Sequence, residues 1–320
     1  MPRLSRGWLQ TIAALVLLTI GLAPSRLLAD EVRVVFVTHG QPNDPYWEII
    51  RNGMNDAAAN LGVTVEYRSP ATFSTGEMLR LIYDAAASRP DGLVVSMPDE
   101  VALSPAVKAA TAAGIPVIVI DAGGPTIAKN VGALFFMGQS EFGAGLAAGR
   151  RAHERLVKRP LCIDHEVGNV SLEARCHGFS SGIGSTVPVL QTTLDPVTAR
   201  KQLAQYLAEH PDTDFILTLG AASAESALDV IADLPAGARP GIGTFDLSPR
   251  VLDAISGGDI LWGIDAQPFM MGYVPVVTFN LLKRYRLAPV TSDNFYQTGP
   301  SFVEQKDAKA MKRLSEARIR

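Results

Sequence analysis

Charge is scarce in this chain, and an excess of positive charge is missing altogether. Only 19% of its 320 residues are charged, and the formal net charge is −3. No basic tract stands out, so binding to nucleic acid or to an anionic membrane surface has no electrostatic support. Cysteine is nearly absent too: Cys162 and Cys176 are the only two. No CxxC pair exists, and only His165 and His177 lie close by, which argues against a zinc site. No H-E-x-x-H and no P-loop occurs, and the turn after the first strand pattern lacks G-x-G-x-x-G. The sequence therefore implies no metal and no cofactor. Low-complexity linkers are missing as well, and 47% of the residues are hydrophobic. That is globular composition, with a length that suits two domains of ordinary size.

One apolar run does exist, at the start. Arg3 and Arg6 precede Ile12 to Leu22, and Leu27-Leu28-Ala29 puts a small residue before Asp30. This is the layout of a secretory signal peptide over residues 1–29, with cleavage expected after Ala29 and export to the periplasm. A transmembrane anchor is the rival reading, but the run is about half the roughly 20 residues a span needs. In an oxidising compartment Cys162 and Cys176 can form a bridge closing a short loop. Two separate buried thiols are the alternative, and the bridge is the favoured expectation.

From Glu31 onward, short β-branched runs alternate with amphipathic segments and small-residue punctuation. Val34–Val37, Val63–Tyr67, Leu93–Ser96, Pro116–Ile120 and Leu134–Met137 read as strands, with a helix from Pro45 to Leu61. The rhythm repeats in Leu161–Ile163, Val187–Leu190, Phe215–Thr218, Ile242–Phe245 and Leu261–Ile264. Helices fit Thr198–Glu209, Ala222–Ala232 and a long stretch from Gln267-Pro268 to about Tyr285. Phe295-Tyr296 and Pro300–Val303 fit short closing strands. The strands are apolar throughout instead of alternating, which predicts parallel sheets covered by helices on both faces. The expected fold class is α/β, two doubly wound parallel-sheet lobes in tandem.

In such sheets ligands collect beyond the carboxyl ends of the strands. The residues there are rich in rings, carboxylates and amides: Thr38 to Trp47, Ser96-Met97-Pro98-Asp99, Asp121-Ala122-Gly123-Gly124, Asp164-His165-Glu166, Gly220-Ala221, Phe245-Asp246 and Asp265-Ala266-Gln267. Sugar rings need such partners, since their C–H faces pack on aromatic rings and their hydroxyls need fixed donors and acceptors.

In this order, several segments resemble the ribose-type (type I) periplasmic sugar-binding proteins of ABC importers. They are Asn43-Asp44-Pro45-Tyr46-Trp47, Gly114 to Asp121, Arg175-Cys176-His177-Gly178-Phe179, Gly243-Thr244-Phe245-Asp246 and Gln267 to Tyr273. The resemblance covers nearly the whole mature chain. It implies two lobes joined by a three-strand hinge: residues 30–138 with 268–296 in the first lobe, and 139–267 with 297–320 in the second. It also implies a small sugar-like or polyol-like ligand in the cleft, an ABC permease in the inner membrane as partner, a monomer, and no catalysis. Carried over residue by residue, the ligand set is Asp44, Tyr46, Trp47, Met97, Asp121, Arg175, Gly220, Asp246 and Gln267. Met97, Gly220 and Ala266 depart from the pattern, standing where Asn, Asn and Gln are usual. Those changes remove amides and add space, so a ligand larger or less hydroxylated than a simple pentose is expected. Three rival readings stand beside this one. One is a sensor presenting its ligand to a membrane receptor. Another is a hydrolase using His165 and Glu166 as acid and base. The last is a repressor, disfavoured because a signal peptide stands where a helix-turn-helix would. Asn169-Val170-Ser171 matches a glycosylation sequon and carries no weight.

Overall fold

A computed structural model describes residues 31–42, 44–289 and 292–320. The signal peptide expected over residues 1–29 and Asn43 of the Asn43-to-Trp47 segment lie outside the described residues.

Residues Val32–Arg320 form one compact unit built on two six-stranded sheets. The first half runs β1 (Arg33–Val37), α1 (Pro45–Leu61), β2 (Thr64–Arg68), α2 (Thr75–Ala87), β3 (Gly92–Val95), α3 (Glu100–Ala112), β4 (Val117–Ile120), α4 (Pro125–Asn130) and β5 (Phe136–Gln139). The second half repeats the alternation with α5 (Glu141–Glu154), β6 (Pro160–Asp164), α6 (Val170–Ile183), β7 (Val189–Gln191), α7 (Pro196–Glu209) and β8 (Phe215–Thr218). It continues through α8 (Ala221–Ala232), β9 (Gly241–Phe245), α9 (Pro249–Gly257) and β10 (Trp262–Asp265). The chain closes with α10 (Pro268–Tyr285), β11 (Phe295–Gly299), β12 (Ser301–Val303) and α11 (Gln305–Glu316).

Strand order is β11-β5-β4-β3-β1-β2 in one sheet and β12-β10-β9-β8-β6-β7 in the other. All pairings are parallel except β10 with β12. In both lobes the order reverses beside the first strand, between β1 and β3 and between β6 and β8, which opens a crevice at the strand ends. The chain passes between the sheets after β5, after β10 and between β11 and β12.

Strand parity splits the core. Val35, Leu93, Val95 and Val117 pack on one face with Met78, Ile82 and Leu103 of α2 and α3. Val34, Phe36, Val94 and Ile118 face Ile50 and Met54 of α1 and Phe279 of α10 on the other. Each such side chain contributes roughly 1.5–3 kcal/mol by leaving water, so the central strands must be apolar at every position. The second lobe is layered the same way.

Helix α5 crosses α6 at the closest approach the backbone allows. A Cβ on Gly145 would sit 2.1 Å from the Arg175 carbonyl oxygen, and one on Gly178 would sit 2.2 Å from that of Phe142. Cys162 of β6 and Cys176 of α6 are joined by a disulfide. The crossing and the bridge together fix the turn of α6 that carries Arg175.

Three segments differ from the sequence expectation. Strand β7 is Val189–Gln191, starting two residues later than the expected Val187–Leu190. The fifth strand is assigned to Phe136–Gln139, two residues later than its apolar run, although the ladder begins earlier with Leu134 N–H donating to Val117 O. The C-terminal helix α11 was not anticipated. Its inward stripe is short, Ala308, Met311 and Ser315 at i, i+3 and i+7, in an otherwise polar segment.

Candidate functional site

Loops from both sheets enclose a narrow polar cavity of about 30 Å³, well below the volume of an occupied small-molecule site. Six of the nine expected ligand residues line it: Asp44, Tyr46, Trp47, Asp121, Arg175 and Asp246.

Asp44 stands at the N-cap of α1, where its Oδ1 accepts from the Tyr46 N–H at 3.0 Å. Pro45 follows at the first helical position, where its fixed φ suits the helix and its missing N–H costs nothing. This start swings Tyr46 and Trp47 into the cleft. Tyr46 Oη donates to Asp121 Oδ1 at 2.6 Å, and Trp47 meets the His39 ring edge-on at 4.7 Å.

Asp121 follows β4, and Asp246 follows β9, the fourth strand of each lobe. Both hold left-handed backbone, with φ of 62° and 64°. That conformation costs a non-glycine residue about 1 kcal/mol or more and concentrates at functional sites. Here it turns a carboxylate from each lobe into the cavity. Among the described residues, one oxygen of Asp246, Oδ1, is buried with no hydrogen-bond partner, and so is His165 Nδ1. Burial pushes the Asp246 carboxyl well above the usual range, with Arg175 pulling the other way.

Arg175 is almost fully buried. Its Nε donates to Glu141 Oε2 at 2.5 Å and its Nη1 to the Leu219 carbonyl at 3.0 Å. The guanidinium carbon lies 4.4 Å from the centre of the Phe245 ring. Burial opposes its charge, but Glu141, Asp246 and Asp121 together outweigh that and raise its pKa further. Two of its five N–H groups are used in these bonds, and the Nη2 pair is not among them.

Three expected residues lie elsewhere. Met97 is fully buried in the cluster with α2 and α3. It keeps the parity of Val95, so it points away from the crevice, while Ser96 points toward it and binds His39 Nδ1 at 2.8 Å. Gly220 stands beside the cavity without lining it. A Cβ there would come within 2.8 Å of His165 Cε1, so the glycine makes room for that ring. Gln267 sits at the hinge, where its amide donates to the Thr298 carbonyl and its N–H to Asp265 Oδ1 at 2.7 Å.

Other lining residues were missed as ligand candidates. His39, Asn169, Ser171, Leu172 and Leu219 belong to the cavity wall, as do His165 and Glu166. His39, His165 and Glu166 follow β1 and β6, so position alone pointed to them. Asn169 N-caps α6 through Ser171 N–H and donates to Glu166 Oε2 at 2.9 Å. Among the described residues His165 and Glu166 share no hydrogen bond, and burial lowers the His165 pKa to about 3, which leaves it neutral. The string Gly178-Phe179-Ser180-Ser181-Gly182 has the letters of a nucleophile elbow, G-x-S-x-G. It lies inside α6 rather than at a strand-to-helix turn, and Ser180 Oγ accepts from Val187 N–H.

Glu166 bridges the lobes. Gln41 Nε2 donates to its Oε1 at 3.2 Å, and His39 Nε2 lies 3.6 Å from its Oε2. Beside it, Val170 N–H donates to the Pro98 carbonyl at 3.1 Å. Burial raises the Glu166 pKa to about 7, against the Asn169 hydrogen bond. Burial also lowers His39 to about 4, against the pull of Asp121. A carboxyl whose pKa rises on folding gives stability that is complete below its unfolded pKa and is lost as pH climbs through the folded value. Wild type should therefore lose stability relative to Glu166→Gln between pH 5 and pH 8, by about 1 kcal/mol or more. Paired thermal melts across that range test this, and parallel curves would assign the titration elsewhere.

Two parallel-sheet lobes with one polar, ring-lined cavity at their facing strand ends define a two-lobed ligand-binding protein. The sequence matches the periplasmic binding protein domain over residues 34–284, and the chain belongs to that family, whose members are substrate-binding proteins and not enzymes. A solved carbohydrate transporter from Acidothermus cellulolyticus, in complex with myo-inositol, is 35% identical with a TM-score of 0.85. That match covers 91% of this chain and 100% of the other. A periplasmic sugar-binding protein of an ABC sugar transporter from Legionella pneumophila is 26% identical with a TM-score of 0.77, over 84% of this chain and 100% of that one. The xylose/arabinose-binding protein of Sulfolobus acidocaldarius is 24% identical over 264 residues. That stretch is 78% of this chain and spans 65% of the archaeal relative's own length.

Proposed function

We propose that this protein is exported, is cleaved after Ala29, and captures a sugar or cyclic polyol between its lobes for delivery to an ABC importer. The observation that carries this reading is the convergence of Asp121, Asp246 and Arg175, from both lobes, on one cavity walled by Tyr46 and Trp47. Buried polar atoms without partners are costly, and Asp246 Oδ1 and His165 Nδ1 gain partners if a hydroxylated ring lies between them. The rings of Tyr46 and Trp47 suit its C–H faces. The myo-inositol bound by the Acidothermus relative and the sugars named for the others support the same ligand class.

Closure supplies the mechanism. A ligand held by Asp121 on one lobe adds contacts to Arg175 and Asp246 on the other, so it favours the closed state by its differential affinity. The Gln41–Glu166 and Pro98–Val170 contacts form in that closed state, and the importer recognises it.

A thermal-shift screen of sugars and polyols on the mature chain finds the ligand, because binding stabilises by mass action. Calorimetry with that ligand then tests the site. Asp121→Ala should weaken binding at least tenfold, or about 1.4 kcal/mol, as expected for a lost charge-assisted hydrogen bond. Undiminished affinity would overturn the assignment.

A further inference from the structure

The interlobe cleft holds a second chamber, of about 250 Å³. Asp121 and Ser171 belong to the walls of both chambers, so the second adjoins the first.

Its chemistry is that of another ring site. Phe136 and Phe295, on the neighbouring strands β5 and β11, stack with centres 5.7 Å apart on the side of the first lobe. Phe142, in the first turn of α5, faces them from the second lobe with its side chain 47% exposed. Gly124 and Ala174 keep the space open, and a Cβ on Gly124 would meet nothing within 4 Å. Gln139 supplies the polar element. It is buried, its Nε2 donates to Glu141 Oε2 at 3.1 Å, and its Oε1 has no partner among the described residues. The charged residues of the lining are Asp121 and Glu141, with no Lys or Arg among them. No cationic side chain is there to hold a phosphate or carboxylate substituent.

We propose that the physiological ligand is a neutral glycoside: a sugar or cyclic polyol in the first chamber carrying a second sugar ring that stacks on Phe142 in the second. This rests on the sugar-binding reading above and extends it to ligand size. It also gives a physical place for a ligand larger than a pentose.

Calorimetry on the mature protein with matched pairs tests it: myo-inositol and its galactosides, xylose and xylobiose, glucose and its disaccharides. The expected result is at least one glycoside binding tenfold or more tighter than its own parent. Phe142→Ala should remove that gain and leave the parent's Kd within twofold. Ala174→Trp should block the glycoside while the parent still binds, with thermal melts confirming that both variants fold. Parents that bind while every glycoside matches or fails beside its parent would overturn the inference and leave the sugar-binding reading standing. A panel in which nothing binds, alone or glycosylated, would overturn that reading and the inference with it.

Discussion

Arg175→Ala should weaken ligand capture at least tenfold and remove about 3–5 kcal/mol of folding stability at the same time. The two losses have different origins. Stability falls because Glu141 is left buried without its cation. Taking up a proton limits that cost, since burial already raises its pKa against the pull of Arg175. The Leu219 carbonyl loses its donor as well. Binding falls because the planar fork can hold two ligand oxygens at once, which no water-filled gap reproduces. A loss of at least tenfold is expected in calorimetry, beside a lower midpoint in urea. Replacing both partners separates the effects. Arg175→Met with Glu141→Leu should recover most of the stability, because a buried ion pair and a well-packed apolar pair are of similar worth. It should recover none of the binding. Wild-type affinity in Arg175→Ala would mean that the cavity described above is not where the ligand sits.

Loss of the disulfide should be the other large effect. Cys162 and Cys176 close a short loop from β6 to α6, and a loop of that size is worth about 3 kcal/mol in the chain-entropy account. Both residues are buried among Phe179, Phe215 and Leu217, so Cys162→Ala with Cys176→Ala also costs packing. The double variant should melt well below wild type. Dithiothreitol should lower the wild-type melting temperature and leave the variant unmoved. Because Cys176 follows Arg175 directly on α6, the variant should also bind ligand more weakly, by less than Arg175→Ala does. Equal melting of wild type with and without reductant would show that the bridge carries no stability.

The fold was legible because its signals are local. Apolar runs such as Val117–Ile120 need burial on both faces, and a Pro45 start with a Gly62 stop brackets α1 without reference to anything distant. The closing strands were legible for the same reason. Helix α11 was not, because its inward stripe is short in an otherwise polar segment.

The site was legible in part, and the division follows the physics. Asp121, Asp246, Tyr46 and Trp47 stand directly after strands or at a helix start, where topology alone sends a side chain toward the crevice. Met97 shows where position fails. One residue of parity decided that Ser96, and not Met97, faces the ligand side, and that parity is set by the register of the sheet. Gln267 shows another limit, since its amide is claimed by Thr298, a partner 31 residues away.

By itself the sequence determined the α/β alternation, the apolar strands and the residues at their ends, because these depend on neighbours a few positions apart. Tertiary structure alone decided that Glu166 reaches Gln41 and His39 across the cleft, that Arg175 is steadied by Glu141 and Phe245, and that a second chamber opens beside Phe142. Each of these joins segments distant in the chain, and such distances are set only when the two lobes pack and close.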